Sequence, residues 1–196
     1  MSSVVLASKS VVRARLLAAA GIDFEAVDSG VDEAAAKVSL AGRTPDAVAI
    51  ALAETKALRA SDARPGALVI GADQALDFQG RLFDKVANLD EARARLIMLR
   101  GRSHRLHSGV AVARDGQVLW RKCASSTLTM RNFTDAWLDA YLARNPGPAL
   151  SSVGCYELEG EGAQLFDRII GDYFAILGLP MLGLLGCLRK EGALAR

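Results

Sequence analysis

Two short runs, Val4-Val5-Leu6-Ala7 and Leu68-Val69-Ile70-Gly71-Ala72, carry no polar side chain at any position. A strand with one face in water alternates apolar and polar residues. One that is apolar throughout must be covered on both faces. The intervening segments have the pattern to supply that cover. Val11 to Ala20 follows Ser10, a capping hydroxyl, and stops at Gly21. Thr44-Pro45 puts proline at the first position of a helix reaching about Ala60, and Arg64-Pro65-Gly66 then makes a turn. Asn88 precedes Leu89, Ala92, Leu96 and Leu99 at helical spacing, with Gly101 behind them. Thr134 to Arg144 forms another helix, stopped at Asn145-Pro146-Gly147-Pro148, and a last one runs from Pro180 to about Arg189. Ile22 to Val27 reads as a strand. Ser103 to Ala113 and Gln117 to Thr129 read as a hairpin across Arg114-Asp115-Gly116, and Gln79-Gly80 as a further hairpin tip. Asp28 to Gly42 has no clear pattern, and Gly154 to Gly162 is a glycine-rich segment. Interleaved helices and strands with one antiparallel pair predict an α/β fold: a mixed, twisted β-sheet flanked by helices.

The chain has 196 residues, enough for one domain spanning 1–196, with room for two lobes around a central cleft, and needing no disulfide or metal staple. Its 24 basic and 22 acidic residues leave a net charge of +2. That balance excludes stable nucleic-acid binding by bulk electrostatics, so any phosphate site must be local. Cys123, Cys155 and Cys187 form no CxxC pair and read as free thiols in a reducing compartment. The longest apolar stretch, Phe174 to Leu188, is broken by Gly178, Pro180, Gly183 and Gly186 and is too short to span a bilayer. A cytoplasmic protein without membrane contact is expected.

Three groups of residues could carry chemistry. Ser8-Lys9-Ser10-Val11-Val12-Arg13 lies where a strand ends and a helix begins, a place for an anion, with Arg13 able to add a guanidinium. The same residues also fit a plain N-cap beside a surface charge. Asp73-Gln74 follows directly on an apolar run, putting a carboxylate at the strand's C-terminal end, where open α/β sheets bind ligands. It could ligate a metal, act as a general base toward water, or simply form a turn. The scattered charges Asp32, Glu33, Lys56 and Lys85 each read as solvated when taken alone. Together they would supply acids for a divalent metal and cations for phosphates. His104 and His107, three apart in a strand, point to opposite faces. No GxSxG, HExxH or Walker A pattern occurs, and Arg102 and Arg105 read as surface charges.

In order along the chain, Leu6-Ala7-Ser8-Lys9-Ser10-Val11-Val12-Arg13-Ala14-Arg15-Leu16-Leu17 resembles LASxSPRRxxLL, and Gly21-Ile22-Asp23-Phe24-Glu25 with Val31-Asp32-Glu33 resembles GIxFE…DE. Leu52 to Ala57 resembles LAxxKA, Ile70-Gly71-Ala72-Asp73-Gln74 resembles IGADT or IGSDQ, and Asp84-Lys85 stands in place of GKP. Gly154 to Gly162 resembles GxYxIQGxG, and Leu177 to Met181 resembles VGLPL. These seven blocks resemble the Maf family of nucleoside triphosphate pyrophosphatases nearly end to end. The resemblance implies an inosine triphosphatase-like (Maf/Ham) fold, commonly dimeric, and cleavage of a nucleoside triphosphate to the monophosphate and pyrophosphate. It implies Asp73 as proton acceptor, Glu33 and Asp73 as ligands of Mg²⁺ or Mn²⁺, and Ser8, Arg13, Lys56 and Lys85 on the triphosphate.

Three departures bear on substrate. Val12 replaces the first arginine of the pair, Gln74 the threonine, and Glu159 the glutamine. They resemble the 7-methyl-GTP branch of the family, whereas Cys155-Tyr156 resembles the dTTP/UTP branch. The absence of proline after Lys85, and Ser151-Ser152 in place of Asp-Lys, resemble neither. The balance favours 7-methyl-GTP. The alternatives are a dTTP/UTP pyrophosphatase and a non-enzymatic nucleotide-binding regulator of septum formation.

Overall fold

The computed structural model describes residues 3–195. A seven-stranded sheet is built from β1 (Val4–Ala7), β2 (Glu25–Val27), β3 (Leu68–Phe78), β4 (Arg81–Phe83), β5 (Ser103–Arg114), β6 (Gln117–Met130) and β7 (Phe166–Ile170). Its order is β2-β1-β3-β5-β6-β7, with β4 also paired to β3. β1 runs parallel to β2 and β3, and the remaining pairs are antiparallel. The helices are α1 (Val11–Ala19), α2 (Glu33–Ser39), α3 (Pro45–Ser61), α4 (Leu89–Leu99), α5 (Asp135–Arg144), α6 (Pro146–Ser151), α7 (Tyr173–Ile176) and α8 (Met181–Lys190). Among the described residues, no helix is long and apolar enough to cross a membrane.

The two apolar runs are covered on both faces, as their composition requires. Leu6, Leu68, Ile70 and Ala72, with Val110 and Val112, pack under Leu17 of α1 and Leu184 and Leu188 of α8. Their neighbours face the other way: Val5, Ala7 and Val69 meet Ala60, while Ala111 and Ala113 meet Ala53 and Ala57 of α3. α3 lies almost directly on the strand backbone. A Cβ on Gly71 would stand 2.1 Å from the Ala53 carbonyl oxygen, and one on Gly109 2.4 Å from that of Ala49. Toward the far end of β3, Leu76 and Phe78 join Leu96, Leu99, Leu138, Tyr141 and Tyr156 in a second core.

Local signals hold closely. Ser10, Asn88 and Thr134 accept backbone amides at the starts of α1, α4 and α5. The β5–β6 loop puts Asp115 and Gly116 at φ 51° and 73°, the backbone of a tight two-residue turn. Thr44 stands at the start of α3 but makes no capping bond, and Pro45 occupies the first turn as expected. Four expectations are corrected. The strand expected over Ile22 to Val27 is confined to Glu25–Val27. The unassigned 28–42 stretch contains α2, opened by the Asp32 carboxylate accepting from Ala35 N at 3.0 Å. The Asn145–Pro148 stop does end α5, yet the chain turns at once into α6, where proline again sits in the first turn. Asp73 is not at a strand end: β3 continues to Phe78, because β5 pairs with it as far as Asp77 and β4 joins it from Leu76 onward.

Candidate active site

That extra length of β3 creates the site. β1 stops pairing with β3 at Ala7 opposite Gly71, and β4 begins only at Leu76 opposite Phe83. On that edge, residues 72–75 have no strand beside them. A cleft of about 890 Å³ opens there, within the roughly 300–1,000 Å³ of small-molecule sites. Ser8, Val12, Arg13, Glu33, Lys56, Asp73, Gln74, Lys85 and Glu159 all line it. Residues chosen from six separate stretches of sequence thus converge on one cavity.

At its floor is an ion triad. Lys56 belongs to the buried stripe of α3 that includes Ala49, Ala53, Ala57 and Ala60, and its ammonium emerges beside β3. Lys56 Nζ lies 2.8 Å from Asp73 Oδ1 and 2.8 Å from Glu33 Oε1. The Lys56 and Asp73 side chains are 7% and 9% exposed, so Asp73 would be a buried carboxylate without its ion-pair partner if Lys56 were lost. Glu33 is half exposed in the first turn of α2. Burial pushes its carboxyl upward, but the hydrogen bond and charge of Lys56, with the charges of Lys37 and Lys85, outweigh this and hold it below the usual range. Lys37, one helical turn further on, pairs with Asp84 at the cleft rim. Asp32-Glu33-Ala34-Ala35-Ala36-Lys37, a capping aspartate with an i, i+4 acid–base pair, was the sequence signal that could have placed it.

Arg13 is nearer to a clamp than to a free anion receptor. Its Nε donates to Gly178 O at 2.9 Å, and Nη1 donates to Ala72 O at 2.9 Å and Ser8 Oγ at 3.2 Å. Ala72 is one of the strand residues left without a neighbour, so the guanidinium fills that hydrogen-bonding gap. Burial lowers its pKa, opposed by the charges of Asp73 and Glu33. Among the described residues, nothing accepts from Nη2, the nitrogen left for a ligand. Gly178 takes φ +95° beneath it, and a Cβ there would sit 3.2 Å from Arg13 Nε. Gln74 is also engaged: its amide nitrogen donates to Ile176 O at 2.9 Å and Ser108 Oγ at 2.9 Å, and Ser108 Oγ donates to Ala175 O at 2.6 Å. Ser108 lies in a strand with no local motif, and its partners are remote in sequence.

The opposite wall is the 151–159 segment. Ser152 Oγ accepts from Tyr156 N at 2.9 Å and donates to Tyr156 O at 2.7 Å. Tyr141 donates to Cys155 O at 3.3 Å, and Arg95 to Val153 O at 2.9 Å. Cys155 is held at φ 63°, a left-handed conformation that costs an L-residue about 1–2 kcal/mol. Tyr156 and His104 Nε2 are 2.6 Å apart, and burial lowers the His104 pKa to about 4. Glu159 receives a hydrogen bond from Arg15 Nη2 at 3.1 Å, joining this wall to α1. His107, on the other face, bonds Ser125 Oγ at 2.7 Å and does not line the cleft. The three cysteines are unpaired.

The Maf-like protein profile matches residues 3–191. The chain is 59% identical over 196 residues to a protein of Caulobacter vibrioides named nucleoside triphosphate pyrophosphatase, covering 99% of this chain and 98% of that one. A Mesorhizobium japonicum protein named 7-methyl-GTP pyrophosphatase is 47% identical, with 97% of each chain covered. Among solved structures, a HAM1 protein from Coxiella burnetii overlaps in part, with a TM-score of 0.44 and 17% identity over 68% of this chain and 75% of that chain.

Proposed function

Because the chain belongs to the Maf-like protein family, we propose that its cleft hydrolyses a nucleoside triphosphate to the monophosphate and pyrophosphate, and that 7-methyl-GTP is the preferred substrate. The observation that carries the reading is the Lys56 ammonium held between Asp73 and Glu33 in a cleft that also contains Arg13, Lys85 and the N-terminus of α1. In this reading Asp73 takes a proton from the water that attacks the α-phosphorus. The bond from that phosphorus to the bridging oxygen breaks, and its electron pair leaves with pyrophosphate. Ser8, Arg13, Lys56 and Lys85 bind the phosphates and offset the charge that develops on the leaving group. Positioning and charge are enough for such a displacement, which needs no protein nucleophile.

A divalent cation, Mg²⁺ or Mn²⁺, belongs to the same proposal. Glu33 and Asp73 already converge on one cation, the Lys56 ammonium, at 2.8 Å each. Two carboxylates with substrate phosphates and water suit Mg²⁺, which is seldom held by an all-protein cage. Bound there, it would supply Lewis-acid polarisation of the phosphates.

Glu159 supports the guanine assignment. Its carboxylate can accept from the N1–H and N2–H₂ edge, and its charge suits the cationic methylated ring. Of the relatives named above, the Mesorhizobium japonicum protein is named 7-methyl-GTP pyrophosphatase, and the name of the Caulobacter vibrioides protein specifies no base. Gln74 acts on the base side through the α7 backbone that it ties down, and Val12 leaves room where an arginine would stand.

A cytoplasmic, nucleotide-binding homodimer completes the reading. Ile169, Ile170, Tyr173 and Phe174 are exposed along edge strand β7 and α7 and offer the apolar surface such a dimer needs. Light scattering should then give twice the 20.8 kDa chain mass, and a monomer would remove the dimer from the proposal.

The deciding experiment incubates the protein with Mg²⁺ and a panel of canonical and methylated triphosphates and measures pyrophosphate. We expect release from all good substrates, with the highest kcat/KM for 7-methyl-GTP. No release from any would sink the enzymatic reading and favour a binding regulator. Release from dTTP or UTP with 7-methyl-GTP untouched would sink the substrate assignment alone.

A further inference from the structure

We propose that Lys56 is a resident counter-ion that keeps a divalent cation out of the Glu33–Asp73 pair until a triphosphate arrives, so that metal and nucleotide load with positive coupling. The proposal rests on the reading of Glu33 and Asp73 as metal ligands.

The geometry is specific. One oxygen of each carboxylate points at the same nitrogen, 2.8 Å away on both sides. A dication placed between them would meet the ammonium at close range. Lys56 has little freedom to withdraw. Its side chain is 7% exposed, its helix rests on the backbone of Gly71 and Gly109, and the neighbouring positions Ala53 and Ala57 are fully buried. The one open direction is the cleft. A triphosphate entering there brings oxygens onto which the ammonium can transfer its hydrogen bonds, and the transfer releases carboxylate oxygens to a metal.

Charge balance points the same way. Glu33, Asp73, Lys56, Arg13 and Lys85, the groups assigned to metal and phosphates, sum to a formal charge of +1. A dication alone would raise this to +3 in a poorly solvated site. A fully ionised triphosphate, at −4, would alone take it to −3. The two together leave −1, the smallest excess of any loaded state, which is the condition for coupled binding. By reciprocity the metal must tighten the nucleotide by the factor with which the nucleotide tightens the metal.

The test reads bound Mn²⁺ directly, by electron paramagnetic resonance, with no turnover. Wild type is titrated with Mn²⁺ alone and again with the non-hydrolysable guanosine α,β-methylene triphosphate. The expected result is weak binding to the free protein and, counted against the Mn²⁺ affinity of the analogue in protein-free solution, a ternary complex at least about tenfold tighter than the two separate equilibria require, within the usual range of coupling between sites. Lys56→Met, which keeps the length and removes the charge, should bind Mn²⁺ without nucleotide at least about tenfold more tightly than wild type. Lys56→Met with Glu33→Gln should lose that gain. Circular dichroism checks folding. If Lys56→Met does not fold, Lys56→Arg, which keeps the charge, should stay as weak as wild type, and the wild-type titrations still decide. Equal Mn²⁺ affinity of wild type with and without the analogue, on the same count, would overturn the gate while leaving the metal ligands in place. No saturable Mn²⁺ site in any protein, even with the analogue, would overturn both the gate and the ligand assignment, and pyrophosphate release measured in parallel would show whether the hydrolase reading survives.

Discussion

The charged wall of the cleft is carried on regular elements: Ser8 just past β1, Arg13 on α1, Glu33 on α2, Lys56 on α3 and Asp73 within β3. The facing wall, 151–159, is largely irregular and held by two hydrogen bonds between Ser152 and the Tyr156 backbone, by one each from Tyr141 and Arg95, and by the Tyr156–His104 contact. One wall inherits its precision from helix and strand packing. The other depends on side chains that each satisfy a backbone group. In the proposed function, chemistry that tolerates little displacement falls to the first, and reading of the base, which differs among nucleotides, to the second.

The largest effect should come from the first wall. Asp73→Asn should lower kcat about 10³-fold, the scale of a lost general base, while circular dichroism and the analogue affinity measured without metal change little. Retained turnover would move the base elsewhere and blur the division of labour.

The second wall should fail through protonation. His104 has a folded-state pKa of about 4 because it is buried. The unfolded chain, with an ordinary value of about 6.5, therefore binds the proton first. Stability is full above pH 6.5 and falls as pH drops toward 4, by about 3 kcal/mol at the lower end. In chemical denaturation across that window, His104→Gln should flatten the slope. An unchanged slope would place the acid sensitivity on other groups.

The seam between the walls is Gly178, whose left-handed φ admits the Arg13 clamp. Gly178→Ala should cost about 1–2 kcal/mol in stability and raise KM severalfold with a smaller change in kcat. A loss confined to kcat would mean that Arg13 serves the reaction more than binding. The smallest effect on the fold is expected at Glu159, half of a partly exposed pair with Arg15. Glu159→Gln should shift the kcat/KM ratio of 7-methyl-GTP to GTP about tenfold, comparable to one polar contact, with the fold intact. No shift would remove Glu159 from base reading.

What the chain discloses on its face follows the same division. The apolar runs, the Ser10, Asn88 and Thr134 caps and the Asp115-Gly116 turn are local chemistry, and all nine candidate residues could be picked from strand ends and ordered motif blocks. The length of β3 could not, because Asp73 to Phe78 mixes polar and apolar residues and is held as strand by β4 and β5, partners remote in sequence. β7 and α7 were equally hidden: Phe166–Ile170 gains strand geometry from β6 alone at the sheet edge, and Tyr173–Ile176 is a single turn. The roles of Arg13 and Gln74 as ties to the 175–178 backbone were invisible for the same reason, since Gly178 O and Ile176 O are reached across more than one hundred residues.

The near-contact of α3 with the strands has a consequence for anyone who would alter this protein. Helix and sheet are spaced by two absent side chains, at Gly71 and Gly109, and Lys56 hangs from that spacing. A methyl group added at Gly71 would lift the helix bodily and carry the ammonium off both carboxylates, though Gly71 itself touches no ligand. The places where the sequence can least accept novelty are thus ones with nothing to contribute to the reaction, and a search for new substrates by mutation would do well to leave them alone and vary 151–159 instead.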